Sequence, residues 1–248
     1  MNCFTALFKM EMRLFTRDFF GFFFALVFPV MMVLLFGGIY GNEPVYGGFG
    51  MMDITVPAYA TMVTGVTGIM SLPITLAGYK ERKIYKRFDA SPAGKKNVIA
   101  AQVTVNVIMT FVGILLLLIA GRLIYHIEIR GSILPIVAAM CLSIAAMFSI
   151  GFLLTAIGRD QKNTMLMCYI IYFAMLFLSG ATMPDMLFPD TIKKISAVLP
   201  MTYAVDLMQG AFAGEPFRES VKEIIILAGV TLVCTITGGL LYKNKDWT

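Results

Sequence analysis

Charge is what this chain has least of. Of its 248 residues, 14% are Asp, Glu, Lys or Arg and 58% are hydrophobic, whereas soluble domains run near 25% and 45–50%. With a mean hydropathy of +0.81, that balance excludes an ordinary soluble domain and reads as an integral membrane protein. Histidine is nearly absent: His126 stands alone, no H-E-x-x-H occurs, and Cys and His are not clustered, so the pattern offers no metal site. The four cysteines (Cys3, Cys141, Cys168, Cys234) include no C-x-x-C pair, and three lie in apolar runs, so no disulfide framework is implied. There is no G-x-S-x-G, and no base at membrane depth to activate a hydroxyl, which argues against an intramembrane hydrolase. The long apolar runs also lack mid-span carboxylates, histidines and arginines, the groups that ion-coupled carriers and proton relays keep there. Asp53, Asp206 and Glu223 come nearest and fall at expected span ends or in the far segment. A phosphate-cradling loop is missing too: Gly94-Lys95-Lys96 is followed by Asn97, and Asp89 stands where the first Gly would be.

What remains is a chain of apolar runs separated by short polar connections. Residues 2–18 form an amphipathic helix, with Phe4, Leu7, Phe8, Met12, Leu14 and Phe15 on one arc and Lys9, Arg13, Thr16 and Arg17 on the other. Such a helix lies in the membrane interface, basic side toward anionic headgroups, or else is the charged flank of the first span. Glu11 interrupts its apolar arc. Six runs long enough to cross a core of about 30 Å follow, over 19–40, 54–79, 98–121, 132–157, 164–183 and 223–242. Pro29 is expected to kink the first. Pro57, Pro73, Gly65 and Gly68 make the second either irregular or closely approached by another helix. Between spans five and six, Pro184, Pro189, Pro200 and Pro216 punctuate apolar pieces too short to cross, which suits re-entrant or surface-lying helices. The expected fold is therefore all-α and membrane-integral, one transmembrane domain over residues 1–248.

One stretch breaks the apolar pattern. Lys80–Lys96 carries seven cations (Lys80, Arg82, Lys83, Lys86, Arg87, Lys95, Lys96) and two anions (Glu81, Asp89) between spans two and three. Placing the N-terminus inside puts fourteen of the twenty Lys and Arg residues on the cytoplasmic side, so the positive-inside rule expects the island and both termini to be cytoplasmic, in the cell membrane. The island is then either a contact for a soluble partner or a solvated anchor that touches lipid.

Two groups of residues carry a family resemblance. Glu81-Arg82-Lys83-Ile84-Tyr85-Lys86-Arg87-Phe88-Asp89-Ala90-Ser91-Pro92 resembles the loop between spans two and three of the type-2 ABC transporter permeases, with Lys83 and Ile84 where that loop usually has Gly and Thr. Leu178-Ser179-Gly180-Ala181-Thr182-Met183-Pro184 and Leu199-Pro200-Met201-Thr202-Tyr203-Ala204-Val205-Asp206 resemble the same family's Ser-Gly…Pro segment and Leu-Pro-x-Thr-Tyr-x-x-Asp signature; Gln209 replaces a frequent Arg. The resemblance implies a cytoplasmic coupling helix in which Glu81, Arg82, Lys86, Arg87, Ser91 and Pro92 meet an ATP-binding subunit. It also implies an outer gate at Ser179, Gly180, Pro184, Pro200, Thr202 and Tyr203.

The implied function is the non-enzymatic membrane subunit of an ABC exporter. Its partners would be an ATP-binding subunit that holds ATP and Mg, a second copy or a paralogous permease, and membrane lipid, with no nucleic acid and no cofactor in this chain. The substrate would be an amphipathic or lipid-like drug, antibiotic, peptide, lipid or polysaccharide. Hydroxyls and amides at depth, among them Thr61, Thr64, Asn106 and Ser179, are helix-to-helix hydrogen bonders or the lining of a path for it. An ATPase-independent channel or secondary carrier is the alternative from another class.

Overall fold

A computed structural model describes residues 3–46, 48–89, 94–182 and 188–244. Among them, six helices are long and apolar enough to cross a membrane: Phe19–Tyr40, Met51–Glu81, Gly94–Tyr125, Ile133–Ile157, Gln161–Leu178 and Val221–Leu241, called spans one to six. Four more helices do not span: α1 (Cys3–Arg17), α2 (Ile84–Asp89), α3 (Asp190–Ser196) and α4 (Pro200–Ala213). Two short strands, β1 (Pro44–Tyr46) and β2 (Phe49–Gly50), pair antiparallel before span two.

Span two is the middle of the bundle. The chain itself buries 89% of its apolar window, against 11% for span six, which lies at the edge on span four and α4. Spans one, three, four and five and α4 surround it. Prolines shape this centre through their missing N–H groups. The expected kink at Pro29 appears as a π-helical segment, Phe23–Val27, just before it, and span two has a second, Val66–Ser71, just before Pro73. At Leu72 the backbone N–H bonds the Thr67 carbonyl. The Gly68 carbonyl thereby loses that donor, and the next N–H along is the one Pro73 lacks.

Glycines of neighbouring spans meet these carbonyls. Gly151 of span four abuts the Gly68 oxygen, and Gly113 of span three abuts the Ala25 oxygen, where an added Cβ would stand 2.7 Å away. Span two is therefore both irregular and closely approached.

Span five ends at Leu178, five residues short of its expected boundary at 183, because Gly180 turns the chain with φ +82°. The described part of the segment after it divides: α3 is mostly exposed on the surface, whereas α4 enters the bundle. α4 buries Met201, Ala204, Val205, Leu207, Met208, Ala211 and Phe212. Met201 packs at Gly65, Gln209 Nε2 donates to the Ile54 carbonyl at 3.1 Å, and the Phe212 carbonyl accepts from Arg130 N and Gly131 N. α4 thus begins about fourteen residues, or roughly 21 Å, down span two and climbs back to its start, a re-entrant helix inside the bundle.

Loops alternate between two ends. At one, Asp53 accepts from Asn42 Nδ2, Gly50 N and Glu128 N, each at 2.9 Å, joining 42–53 to 126–130. At the other, Glu81 Oε2 accepts from Gln161 N at 2.6 Å, joining the basic island to the connection between spans four and five.

Candidate functional site

The basic end is built on a sharp turn. Span two stops at Glu81, Arg82 N bonds the Gly78 carbonyl and Lys83 N the Lys80 carbonyl, both at 3.1 Å. Lys83 takes φ +54°, the left-handed region that Gly enters without penalty. A lysine thus makes the bend at the position where the resembling loop usually has Gly.

The bend turns the chain into α2. Tyr85 is buried, and its ring meets Tyr79 of span two edge-on at 6.1 Å. Arg82, Lys86 and Arg87 are exposed. Tyr85, with partly buried Phe88 packed on the same cluster, anchors the helix on one side while the cations are exposed, a surface fitted to an acidic partner or an anionic headgroup. Of the residues expected to couple to an ATPase, Glu81 ties the island to Gln161, and Ser91 and Pro92 lie outside the described residues.

α1 packs beside this turn. Its apolar arc is split: Leu7 and Phe15 face the bundle, whereas Phe4 and Leu14 are exposed with the row Lys9, Arg13 and Arg17. Between Leu7 and Phe15 on the inward face sits Glu11, 1% exposed. Tyr79 OH donates to both of its carboxylate oxygens at 2.9 Å, and Gln102 Nε2 of span three donates to Oε2. Burial pushes this carboxyl up to about 7, against the pull of those two donors. The sequence carried a signal of it, a lone acid inside an apolar arc.

Beside the middle of span two, where α4 begins, the Leu-Pro-x-Thr-Tyr stretch is a clasp. Leu199 is extended, Pro200 opens α4, Thr202 Oγ1 donates to the Ser196 carbonyl at 2.7 Å, and Tyr203 OH donates to the Ala197 carbonyl at 2.6 Å. These bonds fold α3 back on α4. Ser179 is buried with no partner for its hydroxyl among the described residues, and Gly180 makes the turn after span five. Pro184 lies outside the described residues.

Of the hydroxyls and amides expected at depth, those of Thr61, Thr64 and Asn106 donate within the bundle. Thr61 Oγ1 donates to the Ala204 carbonyl of α4 at 3.4 Å, Thr64 Oγ1 to the Thr61 carbonyl at 2.7 Å, and Asn106 Nδ2 to the Gln102 carbonyl at 3.0 Å. Thr61, Thr64, Asn106 and Ser179 are all at most 1% exposed in this conformation. Among the described residues no three His, Cys, Asp or Glu side chains converge as a metal ion would require.

Comparison with known proteins agrees with this architecture. The sequence model of the ABC-2 type transporter family matches residues 2–213. A probable doxorubicin resistance ABC transporter permease protein, DrrC, of Mycobacterium tuberculosis is 21% identical over 227 residues, covering 90% of this chain and 81% of that one. The daunorubicin resistance ABC transporter permease protein DrrB1 of Streptomyces coeruleorubidus is 25% identical over 229 residues, 89% and 77% of the two chains. Nodulation protein J of Rhizobium leguminosarum bv. viciae is 30% identical over 112 residues, a match spanning 45% of this chain and 42% of that protein.

Proposed function

The chain belongs to the ABC-2 type transporter family, and from that premise we propose that it is the membrane subunit of an ATP-driven exporter whose ATP-binding subunit docks on α2. The observation that carries the reading is the shape of the island: a turn at Arg82 and Lys83 leading into a short helix held by buried Tyr85, with Arg82 of the turn and Lys86 and Arg87 of the helix exposed. ATP and Mg belong to the partner. Its closing pushes α2, and the push enters spans two and three as rigid bodies, a mechanical link that both sites bias.

The island and both termini face the cytoplasm, so α4 rises from the α3–α4 clasp at mid-bundle toward the outer side. Two copies, or this chain and a paralogous permease, enclose the path. The substrate is an amphipathic or lipid-like solute, a reading supported by the relatives named for doxorubicin and daunorubicin resistance. Parting of α4 from span two would free the Thr61 hydroxyl from the Ala204 carbonyl and open Thr64, Asn106 and Ser179 to that solute, with Thr202, Tyr203 and Gly180 acting as the hinge of the gate.

The test is purification of the tagged chain in mild detergent from its own cell. An ATP-binding subunit is expected in stoichiometric amount, and a cysteine placed by A93C is expected to react with an impermeant reagent only from the cytoplasmic side. A chain that purifies without an ATPase and moves solute alone would instead be a channel or secondary carrier.

A further inference from the structure

The coupling contact accounts for the exposed side of the island and leaves its buried side unexplained. A carboxylate removed from water is expensive unless every oxygen is matched by donors. Glu11 is placed where α1, span two and span three meet, and its donors come one from each span, Tyr79 and Gln102. Leu7 of α1, Leu72 and Leu76 of span two, Tyr85 of α2 and Val98 and Ala101 of span three form one apolar cluster. α2 touches this group through Tyr85, whose ring meets the Tyr79 ring that donates to Glu11. α1 in turn runs into span one across Asp18 alone, whose N–H bonds Leu14 and Phe15 carbonyls and whose carbonyl accepts from Phe22 N.

We infer that Glu11 is a positioning residue, the joint through which a displacement of α2 is carried to α1 and on to span one. The inference rests on the reading of α2 as the ATPase contact. The carboxylate keeps its bonds only while α1, Tyr79 and Gln102 move together. If α1 stayed behind, a buried acid, buried Gln102 and half-buried Tyr79 would lose their partners at once, so the joint favours concerted motion over slippage. An apolar residue at position 11 would fill the space without this all-or-none link. A carboxylate in the apolar arc of an otherwise amphipathic helix thereby acquires a role that packing alone does not give it.

Hydrogen exchange tests the joint in two arms on the full chain in nanodiscs. Without a partner, exchange over residues 3–17 is expected to rise about tenfold or more in E11A and far less in E11Q, whose amide oxygen still accepts from Tyr79, with residues 133–157 unchanged in both. E11L, similar in volume and wholly apolar, gives the same result as E11A if the smaller side chain compromises folding. Unaltered exchange over 3–17 in E11A and E11L overturns the joint. In the second arm the ATP-binding subunit is bound and trapped with ATP and vanadate. Wild-type protection is expected to change over residues 3–17 and 84–88 together, and in E11L over 84–88 alone. A wild-type α1 that stays unchanged while 84–88 responds overturns the coupling role. A wild-type chain that binds no ATP-binding subunit overturns the function reading and the coupling role with it, while the first arm still decides whether Glu11 holds α1.

Discussion

Alanine at Gly151 is expected to be among the most damaging single-methyl additions in the bundle. A Cβ there would collide with the Gly68 carbonyl oxygen, and the reciprocal change at Gly68 would place a Cβ 2.7 Å from Phe148 Cδ1 and 2.8 Å from the Met147 carbonyl carbon. Comfortable carbon contacts lie near 3.5–4.0 Å, so spans two and four must part by about 1 Å, and a gap of that size forfeits a quarter to a half of each contact along the crossing. Overpacking of this kind costs about 1–3 kcal/mol. G68A is placed in the upper part of that range, because Phe148 can turn aside but the Met147 backbone cannot, and G151A at or above its top, because its Cβ would overlap a backbone oxygen. Gly229 and Gly239 supply the controls: nothing lies within 4 Å of a Cβ at either, so alanine there is neutral or stabilising by up to about 1 kcal/mol. Thermal unfolding in detergent, read as the fraction still monodisperse after heating, reports the differences at roughly 2–4 °C per kcal/mol for a chain of this length. G151A as stable as G239A would refute the backbone contact between spans two and four, and with it the placement of span two at the centre.

Two further outcomes follow from the basic end. K83G relieves a left-handed lysine, a gain of about 1–2 kcal/mol set against about 0.5–1 kcal/mol for glycine's extra backbone freedom, so a small rise in melting temperature is expected and a fall contradicts the strained turn. Glu11 titrates near 7 when docked and from 4.5 when free, so docked α1 binds the extra proton. Its hold is therefore fullest below about pH 4.5, weakens as pH rises through 4.5 to 7, and is weakest above, a change on the order of a few kcal/mol. Hydrogen exchange over residues 3–17, corrected for intrinsic rates, is expected to lose protection between about pH 4.5 and 7 in the wild type and to stay level in E11L; protection that grows with pH contradicts the burial of the acid.

The spans were legible because each is an uninterrupted apolar run, and lipid leaves the backbone little alternative to a helix. Their ends were less so: Gly180 stops span five by its own backbone angle, while the apolar run continues to Met183. The prolines and glycines of span two announced an irregular, crowded helix, but its partner Gly151 stands 83 residues from Gly68, and Gly113 stands 88 residues from the Ala25 it abuts in span one, so no local pattern pairs them. The same limit hid the donors to Glu11, which lie 68 and 91 residues away. α4 was readable as a short non-spanning helix, yet its depth depends on Met201 finding Gly65 and Gln209 finding Ile54. At the island the motif located α2, and the Thr202 and Tyr203 bonds show why Leu-Pro-x-Thr-Tyr is a turn as well as a signature. Lys83 shows the converse, a residue of the wrong type for its backbone angle taking that angle under the pull of its neighbours.

The most direct test of the account is the affinity of the purified chain for its ATP-binding subunit with Lys86 and Arg87 reversed together. Both side chains are exposed on α2 and away from its buried Tyr85, so K86E/R87E leaves the bundle intact and turns attraction into repulsion, a change of several kcal/mol. At about 1.4 kcal/mol per factor of ten, binding is expected to weaken by a hundredfold or more while membrane insertion and melting temperature stay within error. An ATP-binding subunit that holds the double variant as tightly as the wild type would contradict the assignment of α2 as the coupling contact.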